Sequence, residues 1–208
     1  MGQAIADARR ILGVDPGTRV AGWGLVESHG NRTRLVACGV LRMRPGDMPQ
    51  RLKDFADGLR DVIRTQSPTA VAIETQFFGK SASSSMAVGM SRGAALLAAA
   101  DCGVPVHEYT PATVKKAVVG NGNASKEQVA AMVRVMLGLA EAPRPADVTD
   151  AIAIALAHAH RGPAARRCAG SWTSADVRRI VERNGNGSIE GKREKENGRS
   201  EGGASQRR

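Results

Sequence analysis

The run Ile11-Leu12-Gly13-Val14 stops at Asp15-Pro16-Gly17, and two more β-rich segments come after it, VAGWGLVES and TRLVACGVLRM. A turn at His29-Gly30-Asn31 lies between the second segment and the third. Three apolar, Val- and Gly-containing segments joined by short turns predict an antiparallel meander. Beyond Pro45-Gly46-Asp47 the periodicity changes. Leu52, Phe55, Leu59, Val62 and Ile63 recur at steps of three and four, the pattern of an amphipathic helix on a core. AVAIE, ending at Glu74, then reads as a buried strand, an Ala-rich helix spans roughly 82–101, and VPVHEY is another strand.

Thr110-Pro111 opens a helix that stops at Gly120-Asn121-Gly122-Asn123. Ser125 and Gln128 have the spacing of a capping box for the next helix, with Val129, Met132, Val133, Met136 and Leu137 on its core face. ADVTDAIAIALAHAH forms the last helix. A meander followed by alternating strands and helices predicts an α/β fold: one mixed five-stranded sheet, helices on both faces.

Net charge is +10 over 208 residues, and +6 of it falls at 161–208, where twelve Lys and Arg face six acids. The segment beyond Asn184 is Gly-, Ser- and charge-rich with a single aliphatic residue, Ile189. It cannot bury enough apolar surface to offset its ordering entropy, and a basic arm of this kind suits a polyanionic partner. The expected organisation is an N-terminal extension at 1–10, a folded domain at 11–161 and a basic, mostly disordered tail at 162–208. A short stripe of Val177, Ile180 and Val181 is the one amphipathic feature of the tail. Apolar runs fall far short of the 18 or so residues that span a bilayer, and the N-terminus has no apolar signal region. Cys38, Cys102 and Cys168 form no CxxC pair. These features predict a cytoplasmic protein in a reducing compartment, without a membrane partner.

Four acids carry the chemistry. Asp15 and Glu74 each end a strand, and Asp147 and Asp150 begin the last helix. Each has an ordinary explanation: an Asx turn at Asp15, a polar strand end at Glu74, an N-cap at Asp147, and a dipole-complementing acid at Asp150. Together they argue for more. Acids at one end of neighbouring strands face a common crevice, and positions 147 and 150 share a helix face that can cover it. Carboxylates so gathered repel one another unless cations lie among them, and hard oxygen donors favour Mg2+ or Mn2+. An acidic cluster in a basic protein points to metal-assisted chemistry on phosphates.

ILGVDPGTRVAGWG, AIETQFFGK, VKKAVVGNGNASKEQV and ADVTDAIAIALAHAH, in this order, resemble the RuvC family of crossover junction endodeoxyribonucleases, the Holliday junction resolvases. The likeness covers about residues 11–161. It implies a ribonuclease H-like fold, a homodimer, and a Mg2+-dependent nuclease of recombination, repair and the SOS response. Asp15, Glu74, Asp147 and Asp150 match the family's catalytic, metal-binding acids. They imply two Mg2+ ions per subunit, replaceable by Mn2+ and about 4 Å apart, and paired nicks with 5′-phosphate and 3′-hydroxyl ends.

Phe77 matches the family's junction wedge, and an aromatic in a loop beside a phosphate site suits stacking on an unpaired base. Lys115 and Lys126 match lysines near the scissile phosphate, and Arg92 is a further phosphate-contact candidate. The family also implies the branch-migration helicase, RuvA and RuvB, as partner. The competing expectations are a ribonuclease H-like nuclease of structured RNA and a non-catalytic junction-binding protein. His158 and His160, two apart on a helix, cannot share a face and read as structural.

Overall fold

The computed structural model describes residues 8–30, 32–75 and 82–161, all within one compact unit. The tail from 162 onward, its Val177, Ile180 and Val181 stripe, and the Phe77 candidate lie outside the described residues.

The chain runs β1 (Arg9–Asp15), β2 (Val20–His29), β3 (Arg32–Arg42), α1 (Met48–Gln66), β4 (Ala70–Glu74), α2 (Ala82–Asp101), β5 (Val106–Tyr109), α3 (Pro111–Val119), α4 (Lys126–Met136) and α5 (Ala146–Arg161). The five strands form one sheet in the order β3-β2-β1-β4-β5. β1, β2 and β3 pair antiparallel, as the short turns require, whereas β4 and β5 join in parallel through helical crossovers. The mixed α/β sheet matches the expectation.

β1 starts two residues earlier than the expected domain boundary, and its first two side chains are tied to the fold. Arg9 donates to the Ala159 carbonyl near the end of α5, and Arg10 donates twice to the Gln66 carbonyl that ends α1. Guanidinium groups at helix C-termini satisfy carbonyls that have no partner within the helix.

Alternation along the strands divides the core. Leu12, Val14, Leu25, Val71 and Ile73 pack with Phe55, Leu59 and Ile63 of α1 and with Ala95, Ala98 and Ala99 of α2. Ile11, Val26 and Ala72 turn to the opposite face, against α5, α3 and α4. α5 carries an unbroken buried stretch from Ala151 to Ala157, because it lies between the sheet and the two shorter helices.

Glycine lets α5 approach the sheet this closely. A Cβ at Gly13 would collide with the Ala151 carbonyl, one at Gly22 with the Asp147 carbonyl, and one at Gly24 with Ile152. Three glycines on adjacent strands thus form a flat seat for the first turns of α5. Gly13→Ala forces backbone apart in a fully packed layer, and a destabilisation of about 3 kcal/mol is expected. Urea unfolding of the variant checks this, and a loss below about 1 kcal/mol would mean that the seat yields freely.

Candidate active site

Asp15 and Glu74 meet because β1 and β4 are parallel neighbours. Val14 pairs with Ile73, so the next residue of each strand is one of the two acids, at the same sheet edge. Their parity with Gly13 and Ala72 sets both on the α5 face. The glycine seat then holds the N-terminal turns of α5 over that edge, which delivers Asp147 and Asp150 to the same place.

Electrostatics register the gathering. The Asp15 carboxyl is raised from its ordinary 3.8 to about 7, first by burial, then by the charges of Asp150, Glu74 and Asp147, with Lys126 opposing. Glu74, Asp147 and Asp150 therefore all act on Asp15. Asp147 is not the N-cap that its position after Pro145 suggested. α5 begins at Ala146, the Val148 amide donates to the Pro145 carbonyl, and Asp147 lies within the first turn. There its charge still complements the helix dipole.

Lys126 is the first residue of α4, behind the capping box that Ser125 and Gln128 form as expected. Its ammonium lies 2.7 Å from an Asp150 carboxylate oxygen. The hydrogen bond to Asp150, and more distantly the charges of Asp15 and Glu74, raise the Lys126 pKa. A cation and a titrating proton on Asp15 thus share the compensation of four negative charges. Among the described residues no three Asp, Glu, His or Cys side chains stand as a ready metal cage. The donor chemistry fits a hard divalent ion nonetheless, since three carboxylates lie close enough to Asp15 that each raises the cost of ionising it.

The remaining candidates are placed less centrally. Lys115 is half-buried on α3, beside the exposed Lys116. Arg92, on α2, directs its guanidinium to the buried Glu108 of β5, a pairing that ties helix to sheet. His158 is buried, with Nδ1 2.7 Å from the Tyr109 hydroxyl and its ring against His107. Burial, then the charges of His107 and Arg9, lower its pKa to about 4, so it is neutral at physiological pH. That is a core histidine, in line with its structural reading.

Beside Asp150 a groove of about 660 Å3 is lined by Lys126, Arg134, Arg144 and Thr149 among others. Sequence reasoning passed over Arg134 and Arg144, since one lies on a solvent-facing helix side and the other in a Pro-rich loop. Only the fold sets them in one groove with Asp150. No helix among the described residues is long and apolar enough to cross a membrane.

Known proteins share this arrangement of strands and helices. The family profile for crossover junction endodeoxyribonuclease RuvC matches residues 11–158. A crossover junction endodeoxyribonuclease of Chloroflexus aggregans is 48% identical over 159 residues, covering 76% of this chain and 97% of that protein. The structure of Thermus thermophilus RuvC in complex with Holliday junction substrate superposes with a TM-score of 0.69 at 41% identity, over 74% of this chain and 94% of that one. The yeast mitochondrial Holliday junction resolvase shares the fold at 14% identity, with a TM-score of 0.55 over 73% of this chain and 79% of that one.

Proposed function

The chain belongs to the RuvC family of crossover junction endodeoxyribonucleases, and from that premise we infer how its own residues resolve four-way DNA junctions in recombination and repair. Nucleases of this family depend on divalent metal. Here Asp15, Glu74, Asp147 and Asp150 would hold two Mg2+ ions, with Mn2+ able to replace them. When bound, the ions supply Lewis-acid activation of water and neutralise charge on the departing 3′-oxygen. The convergence of three further carboxylates on Asp15 is the observation that carries this reading.

Every other part of the mechanism is positioning. Strand pairing fixes Asp15 beside Glu74, and the glycine seat fixes the α5 acids above them. Lys126, already at hydrogen-bond distance from Asp150, is placed to exchange that carboxylate for a phosphate oxygen when DNA arrives. Arg134 and Arg144 in the adjoining groove would steady the next phosphates of the same strand, with Lys115 a further contact. Arg92 would reach phosphate only by leaving Glu108. Phe77, two residues after the Thr75 that succeeds the catalytic strand, would stack at the junction centre, and the basic tail would add non-specific phosphate contacts. The acids argue against a non-catalytic junction binder, since negative charge weakens DNA binding.

Two symmetric nicks call for an isologous dimer with one site per subunit. α2 supports it: Met86, Met90 and Leu97 are exposed at 62%, 42% and 55%, on the same stripe as Gly89 and Gly93, where an added Cβ would meet nothing. Such an apolar strip on an otherwise charged surface suits contact with a second copy. The helicase complex of RuvA and RuvB would deliver the junction.

The test is incubation of the full chain with a synthetic four-way junction and Mg2+. Paired nicks that ligase seals directly are expected, with linear duplex left intact and a dimer mass in light scattering. Absence of cleavage with both Mg2+ and Mn2+, or a monomer on junction DNA, would overturn the reading.

A further inference from the structure

Asp15 ends a strand, and a short turn, Pro16 to Arg19, carries the chain from it into β2. A carboxylate at such an end is only as well placed as the turn that continues it. Two hydrogen bonds from outside hold that turn. The Met43 amide donates to the Arg19 carbonyl at 3.1 Å, which continues the β2–β3 pairing. The Ser91 hydroxyl, from the middle of α2, donates to the Gly17 carbonyl at 2.6 Å.

The second of these is unusual for its residue type. A serine inside a helix ordinarily turns its hydroxyl back to the carbonyl one turn earlier, or out to water. Ser91 is fully buried and reaches across 74 positions of sequence to another element. Gly17 completes the arrangement, since a Cβ there would collide with the Val20 carbonyl, and the turn folds tightly onto the start of β2. The carbonyl of half-buried Gly17 faces α2, where buried Ser91 meets it, and a carbonyl partly shielded from water is left with a poorer partner if that donor is removed.

We propose that Ser91 is a positioning residue for cleavage: its hydrogen bond to Gly17 fixes the turn after Asp15 and so the placement of the Asp15 carboxylate. The role rests on the chain being a junction nuclease. It also links two parts of the molecule, because the exposed stripe of Met86, Met90 and Leu97 lies on the same helix. The helix that would meet the second subunit is thus bonded directly to the turn that follows the catalytic strand.

Ser91→Ala removes the donor with almost no change of volume, and Ser91→Thr restores a hydroxyl. Three readouts on the full-length protein separate positioning from simple structural support. For Ser91→Ala, single-turnover cleavage at saturating junction and Mg2+ is expected to fall about tenfold, with junction Kd and dimer mass within twofold of wild type. Hydrogen exchange at the backbone amides of residues 17–22, measured without DNA, is expected to quicken about tenfold, while the core of α1 and α5 is unchanged. Ser91→Thr is expected to recover cleavage to within about threefold.

Wild-type cleavage by Ser91→Ala, or unaltered exchange in the turn, would overturn the proposal. So would a general rise in exchange across the sheet together with a failure of threonine to rescue, because that marks a packing role only. The exchange measurement needs no substrate. If wild-type protein cuts no junction, the nuclease reading fails, while the contact between Ser91 and the turn is still judged by exchange.

Discussion

Glu74→Gln is expected to lower junction cleavage at saturating DNA and Mg2+ by a thousandfold or more while leaving junction binding equal or tighter. The substitution keeps the shape of the strand end and removes one charge. Its position makes the effect large: β4 ends beside β1, so Glu74 is the acid that the sheet itself places next to Asp15. With Glu74 proposed to hold a metal ion, its loss would withdraw stabilisation of the developing charge, and a thousandfold loss corresponds to about 4 kcal/mol of barrier. Binding gains because phosphate no longer meets that charge. Gel cleavage assays alongside electrophoretic mobility shifts check both halves. A variant that keeps more than about a tenth of wild-type cleavage excludes Glu74 as an essential ligand.

Much of this site is written locally. ILGVD and AVAIE announce themselves as buried strands by their apolar runs, and each ends on an acid. The capping box at Ser125 and Gln128 places Lys126 at a helix start, as the structure has it. What the sequence hides is contact between distant segments. Gly13, Gly22 and Gly24 look like weak points in strands, whereas they are the seat that brings α5 within reach of β1 and β2. No periodicity in either segment encodes that pairing. The Lys126–Asp150 ion pair joins residues 24 apart, and Ser91 to Gly17 joins residues 74 apart. Ser91 in particular reads as one more small residue in an Ala- and Ser-rich helix. The misplaced N-cap has a local cause: Asp after Pro-Ala is a reasonable cap, but the Pro145 carbonyl already accepts from Val148, so the helix has begun before Asp147.

The acids are also expected to cost the fold stability, in a way that pH exposes. In the unfolded chain Asp15 gives up its proton near 3.8, whereas in the folded protein it does so near 7. Between those values the folded state binds the extra proton, so stability contributed by this group falls as pH rises through the window. Below about pH 4 both states are protonated and nothing is lost. Above about pH 7 the charged carboxylate sits buried among Asp150, Glu74 and Asp147, at a cost of about 4 kcal/mol with Lys126 already opposing it and before solvent relaxes it. Asp15→Asn replaces that charge by a neutral group of the same shape. In EDTA at pH 8 the variant is expected to be more stable than wild type by about 2 to 4 kcal/mol, a rise in Tm of roughly 5–10 °C. Near pH 4 the two should melt together. Adding Mg2+ should stabilise wild type and leave the variant nearly unmoved, because an ion bound only by the folded state raises its stability by mass action. Cleavage by Asp15→Asn should be absent throughout. Parallel thermal melts at pH 4, 6 and 8 decide the matter. Equal melting of the two proteins at pH 8 in EDTA would mean that Asp15 carries its charge at no cost, and that its carboxylate is held apart from the other three.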